Sequence, residues 1–418
     1  GTAFLHSIMI QERRGMLKVW NMVLVILTYC LCIFGTFLTR SGIISSVHAF
    51  AKSNVGPFFM VFLGVAILGS AVLLISRLGE LRAESRLESF ISRETAFLLN
   101  NWILLGILFA VMWGTLFPVI SEAFTDEKIT VGPPFFNQVN IPIGLVLLFL
   151  TGAGPLFAWR RTSTESLRRN FAVPVGVALP VIVILLIAGI RDVYALISLG
   201  LCAFVTASIG LEFHRGAGAR RHSTGESYPQ AVYRLLIKSR RRYGGYLVHL
   251  AMVLLFVGFT GQAFTVDKEF VLQRGGTAHV GGYNVKYGNI IQTQDANMSV
   301  TAASLELSRD GEFLSTLLPA RNFYQTHDQA TTEVSIYSSI REDFYIILVG
   351  TSDDGSAKFQ AYVNPLVNWV WAGGILFVLA SLWSMWPTAR ERRMAALERA
   401  SIQGPGFLFG PGAAPTHA

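Results

Sequence analysis

The chain has 418 residues, of which 52% are hydrophobic and only 14% charged, against roughly 25% charged in a soluble domain. That composition excludes an ordinary soluble enzyme and marks a polytopic membrane protein. Its net charge of +8 would suggest a nucleic-acid partner in a soluble protein, but in a membrane protein the informative quantity is where Lys and Arg fall along the chain, so no nucleic acid is expected.

The first residues, "GTAFLHSIMI", carry no methionine and read as the apolar end of a helix, so the chain is expected to continue a longer protein whose amino-terminal part is missing. Runs of about 20 apolar residues, enough to cross a hydrocarbon layer roughly 30 Å thick, follow near 17–38, 57–76, 99–121, 140–159, 171–190, 193–212, 245–262 and 366–386. These make eight spans, nine with the opening helix. Assigning the loops alternately to the two sides puts 23 of the 34 basic residues on one side, which is then cytoplasmic, and 11 on the other. Seven of those 11 are spread over one segment of about 100 residues, as positive-inside charge bias requires.

That segment, 263–362, differs from the rest. It reads as short alternating strands ("KEFVLQ", "YNVKYG", "SVTAASLELS", "TEVSIY", "DFYIILVG", "AKFQAYV") separated by Gly, Asp and Asn turns, the pattern of a small β-domain. In "GGTAHVGGYN" the glycines have hairpin spacing and lack the strand-turn-helix context of a phosphate loop. The predicted organisation is a helical bundle over 1–262, an extracytoplasmic β-domain over 263–362, a last span over 363–387 and a cytoplasmic tail over 388–418. The end of that tail, "GPGFLFGPGAAPTHA", has a disordered composition.

Three cysteines give no disulfide framework. Cys30 and Cys32 stand two apart on one predicted helix and so point to different faces, and Cys202 lies in another span. All three are expected to be buried, unpaired thiols.

The histidines are more informative. His6 lies six residues before Glu12, and His249 seven beyond Arg242, so at about 1.5 Å per residue both stand roughly 9–10 Å into the membrane from the cytoplasmic charges. An imidazole at that depth needs partners for its donor and its acceptor, and intramembrane ionisable residues usually face the bundle interior and serve function. No Cys, Asp or Glu stands near either in its span to complete a four-ligand zinc site, whereas haem iron takes one axial ligand per face. Gly245, one turn before His249 on the same helix face, leaves room for a flat macrocycle. The alternative is that each histidine merely bonds a neighbouring helix or a carbonyl. His48, in "GTFLTRSGIISSVHAFA" between the first two spans, lies on the opposite side in a loop too apolar for an ordinary solvated one. His279 and His327 have polar neighbours and read as surface residues.

Five stretches, "GTAFLHSIMIQERRGMLKVWN", "GTFLTRSGIISSVHAFA", "SRETAFLLNN", "FPVISEAFTDEKITVGPPFFNQVNIP" and "NPLVNWVWAGGILF", together resemble the CcmF family of cytochrome c-type biogenesis proteins. That family forms part of the bacterial haem lyase and belongs to the haem-handling group named for a tryptophan-rich WWD segment. The resemblance implies that His6 and His249 ligate a permanent b-type haem, and that His48 is one of two outward histidines binding the haem in transit. The WWD segment and the second outward histidine would lie before Gly1. The implied reaction joins haem vinyl groups to the thiols of a Cys-x-x-Cys-His segment in apocytochrome c, outside the inner membrane, with haem delivered by a chaperone and with other maturation subunits as partners. The buried haem would supply electrons. Arg40, at the outer end of the first span, suits an interfacial anchor or a haem-propionate contact. Glu122, Asp126 and Glu127 lie in an outer loop with no base positioned beside them.

Two other readings fit parts of the sequence. A solute transporter would have as many spans, but it should show broken helices in paired repeats. An integral-membrane b-type electron carrier accounts for His6 and His249 but leaves the β-domain and His48 without a role.

Overall fold

A computed structural model describes residues 1–43, 55–295, 297–324, 329–388, 391–394 and 396–397. Eight of its helices are long and apolar enough to cross a membrane. They are α2 (Lys18–Ser41), α3 (Gly56–Ser76), α4 (Arg93–Thr125), α5 (Pro133–Ala153), α6 (Thr164–Ile187), α7 (Val193–Thr224), α9 (Arg240–Thr260) and α10 (Asn368–Met385). Two others are shorter: α1 (Thr2–Arg14), at 13 residues, and α8 (Tyr228–Lys238). The chain is an α-helical polytopic membrane protein with a β-sandwich near its carboxyl end. It divides into two compact units, Gly1–Ser208 and Ile209–Ala418, with the boundary inside α7.

Local chemistry sets the helix ends. Ser92 caps α4 by accepting from Thr95 N at 3.2 Å, and Ser163 caps α6 by accepting from Ser166 N at 3.2 Å, each satisfying a donor the first turn leaves unpaired. α4 and α7 outrun the apolar runs that signalled them. α7 continues to Thr224, so the stretch 213–244, which the hydropathy treats as one connecting loop, is largely helical. Arg220 and Glu226, 2.6 Å apart, and a capping box at Ser227 and Gln230 hold those polar turns. Hydropathy reports only the oily part of a helix.

Within the second unit α9 and α10 pack closely because small residues line the contact. A Cβ added at Gly373 would stand 2.9 Å from Ala251 O and from Leu255 N, and one at Gly244 would stand 3.0 Å from Ser384 Cβ. Helices in lipid associate through such close approach, since burial from water does not drive it. Gly373→Leu is therefore expected to destabilise this pair by about 1–3 kcal/mol, the usual cost of overpacking. Thermal unfolding in detergent checks it, and a melting curve identical to the parent's would contradict the packing.

The β-sandwich has two sheets. One orders β1 (Val266–Leu272), β10 (Ala357–Pro365), β9 (Glu342–Thr351) and β8 (Ser335–Ser338). The other orders β2 (Thr277–Val280), β3 (Tyr283–Gln294), β4 (Met298–Arg309), β6 (Ala320–Tyr324) and β7 (Gln329–Glu333), with β5 (Glu312–Leu317) also paired to β4. Alternate residues, among them Val285, Tyr287, Leu305, Phe344, Ile346, Leu348 and Phe359, form one buried core. The expected glycine hairpin is present: β2 and β3 pair across Gly281 and Gly282, at φ +55° and +87°. The run "TEVSIY" is divided at Val334 between β7 and β8, which lie in different sheets.

Cysteine burial corrects one expectation. Cys30 and Cys202 are buried, but Cys32 is exposed, because two positions on a helix are about 200° apart and only one face of α2 is covered.

Candidate functional site

His6 stands on α1 at the edge of the buried stripe formed by Ala3, Ser7 and Ile10, next to an open face carrying Leu5 and Met9. Its Nδ1 is 2.9 Å from Thr2 O, one turn back on the same helix. A carbonyl can only accept, so Nδ1 carries the proton and the lone pair resides on Nε2. Metal-ligating histidines characteristically have this arrangement, one ring nitrogen donating to a backbone carbonyl so that the other is presented as ligand. The Phe97 ring of α4 lies 6.0 Å from the imidazole, centre to centre.

The polar end of α1 is anchored by charge. Arg14 pairs with Glu88 at 2.6 Å and with buried Glu94 at 3.4 Å, and Glu94 also accepts from Arg160 N at 2.9 Å. Lys18 donates to Glu84 at 2.6 Å, which holds that carboxyl below the usual carboxylate range. Arg13 and Arg93 stand 5.3 and 5.5 Å from the centre of the Trp159 ring, within cation–π range.

His249, half-buried on α9, belongs to the second unit. Gly244 and Ala251 lie against α10, and at 100° per residue His249 is turned about 150° from them. Gly245 shares its side of the helix, and a Cβ added there would meet no described atom within 4 Å. One turn towards the polar end, buried Glu212 of α7 accepts from Arg242 at 2.7 Å and from Tyr246 OH at 2.8 Å, and this ties α9 to α7.

Taken singly, each imidazole has the chemistry of an axial haem ligand. Among the described residues, no group of three or more His, Cys, Asp or Glu could hold a metal ion by side chains alone. An iron already held in a macrocycle needs one imidazole per face, and a glycine beside the ligand leaves space for the ring. Arg40 is exposed in the last turn of α2, ahead of Gly42 at φ +68°. His48 and His327 lie outside the described residues, and exposed His279 pairs with Asn284 at 3.0 Å. Glu122, Asp126 and Glu127 are exposed at the end of α4.

Sequence reasoning missed Glu212. Its partners, Arg242 and Tyr246, are 30 and 34 residues away, and the only signal was a carboxylate at the end of an apolar run.

Eight helices able to cross a membrane, with a β-sandwich set before the last of them, make this a polytopic membrane protein with a C-terminal β-domain. Residues 263–365 match the family model described as the CcmF C-terminal beta-sandwich. The chain is 34% identical to the cytochrome c-type biogenesis protein CycK of Bradyrhizobium diazoefficiens, over 92% of this chain and 58% of the relative. It is 32% identical to CcmF of Haemophilus influenzae, over 92% and 59%, and 27% identical to CcmF of Escherichia coli, over 94% and 59%. The solved structure of cytochrome c heme lyase CcmF superposes with a TM-score of 0.72 at 28% identity, over 92% of this chain and 58% of that one. Over more than nine-tenths of its length the chain matches members of the CcmF family of cytochrome c-type biogenesis proteins. It spans about three-fifths of the length of the curated relatives it matches.

Proposed function

We propose that the chain acts in haem lyase, in the bacterial inner membrane with its β-sandwich on the periplasmic side. The observation that carries this reading is the match, along nearly the whole chain, to a structure named as cytochrome c heme lyase. The reaction adds each thiol of a Cys-x-x-Cys-His segment across a haem vinyl group. Sulfur bonds to one vinyl carbon and the thiol hydrogen ends on the other, so the addition itself moves no net electrons. It does require reduced haem and free thiols.

Residues of this chain take separate roles. His6 and His249 would hold a b-type haem, which when bound would supply electrons to the haem being attached. His48 gives the transit haem one axial ligand, and Arg40 meets a propionate. The remaining partners are a haem chaperone, apocytochrome c, other maturation subunits and a portion with the WWD segment.

Deleting the coding sequence from its host tests the proposal. Covalently bound haem, detected by peroxidase staining of denaturing gels, is expected to disappear while apocytochrome c is still made. Unchanged staining would refute a role in haem attachment.

A further inference from the structure

The membrane half of α1 is held by uncharged polar side chains from two other helices. In α2, Asn21 accepts a hydrogen bond from the Ser7 hydroxyl and donates to Gln11 Oε1 at 2.6 Å. In α4, the Asn101 amide, oriented so that both of its groups are satisfied, donates to Ala3 O at 2.9 Å and accepts from Trp20 Nε1 at 3.1 Å. Ser7, Asn21 and Asn101 are at most 2% exposed, so water competes little for these bonds and an unmade one costs about 1–3 kcal/mol. Hydrogen bonds from two sides, at Ala3, Ser7 and Gln11, fix both its rotation and its height.

His6 lies between Ala3 and Ser7, on the flank of that bonded stripe. A helix advances 100° per residue, so a rotation of α1 by about 60° would carry the imidazole into the stripe at Ala3 or out to the position of exposed Met9. The hydrogen bond to Thr2 O sets the ring on its helix, with the Phe97 ring beside it, whereas Asn21 and Asn101 set the helix.

We infer that Asn101 and Asn21 are positioning residues for the haem: they hold α1 at the rotation from which His6 Nε2 meets the iron, and so set the plane and strength of that axial ligand. This rests on the reading of His6 as a haem ligand.

The test uses Asn101→Ala and Asn21→Ala, which remove the bonds without adding bulk, in the complete complex purified from membranes. Trp20→Phe, which removes only the donor to Asn101, is a milder third variant. The readouts are haem content, the largest g value of the low-spin EPR signal, which reports the relative orientation of the two imidazole planes, and the midpoint potential. At normal protein level the g value and potential are expected to move away from the parent's. Any low-spin fraction that is lost should return on adding imidazole, since the vacancy is at the ligand. Parent g value and potential in every variant that accumulates would overturn the inference, as would low-spin loss that imidazole does not restore. His6→Ala keeps the two readings apart. If it retains the low-spin signal, the ligand assignment itself fails; if it loses the signal while the asparagine variants remain normal, only the positioning role fails.

Discussion

Ala in place of His249, or of His6, is expected to abolish the low-spin b-type spectrum of the full complex, because under the proposed assignment one face of the iron then loses its only strong ligand. The two positions should fail separately. For His6→Ala the protein level should stay close to the parent's: the imidazole is half-buried, its Nδ1 bond is to its own helix, and polar contacts that hold α1 at Ala3, Ser7, Gln11 and Arg14 are left in place. His249→Ala likewise leaves the α9–α10 contact through Gly244 and Ala251 untouched, along with the α9–α7 contact through Tyr246 and Arg242. The checks are the reduced-minus-oxidised absorption spectrum and haem content per polypeptide. A parent spectrum in both variants would remove the assignment.

His48→Ala is expected to give the complementary result. The proposed b-type haem should remain, with its spectrum intact, while covalent attachment to cytochrome c stops, since the transit haem would lack the axial ligand assigned to His48. Added imidazole should partly restore attachment by filling the vacant coordination position. If His48 were an ordinary surface residue, the change would cost no more than about 0.5 kcal/mol and leave activity whole. Haem-stained cytochrome c at parent yield, with parent protein level, would return His48 to that status.

Much of the architecture was legible in the sequence because lipid imposes a length: each run of about 20 apolar residues became a helix. The polar turns of α7, where Arg220 pairs with Glu226, and α8, capped at Ser227, were not, since hydropathy does not report them. In the sandwich, long alternating strands such as β3 and β4 announced themselves. β5 and β6, "EFLSTL" and "ARNFY", did not, because five or six residues with imperfect alternation resemble loop. Val334 was absorbed into a strand because the turn there carries no Gly, Pro or Asn.

For the site, the depth of His6 and His249 could be counted from neighbouring charges, and charge order along the chain is a one-dimensional property. Their supports could not be counted. Thr2 meets His6 only because a helix brings position i−4 beneath it. Asn21 and Asn101 come to α1 from two different helices, and within an apolar run they look like isolated polar interruptions. What they hydrogen-bond is a tertiary fact.

Exchanging the ligand tests more than removing it, since removal can also disturb packing. In His249→Met the thioether can still ligate iron, and replacing one axial imidazole by methionine raises a haem potential. The decisive measurement is therefore a potentiometric titration of the b-type haem in the purified His249→Met complex. A low-spin haem whose midpoint potential lies well above the parent's is the predicted result; a haem titrating at the parent potential would show that His249 does not touch the iron.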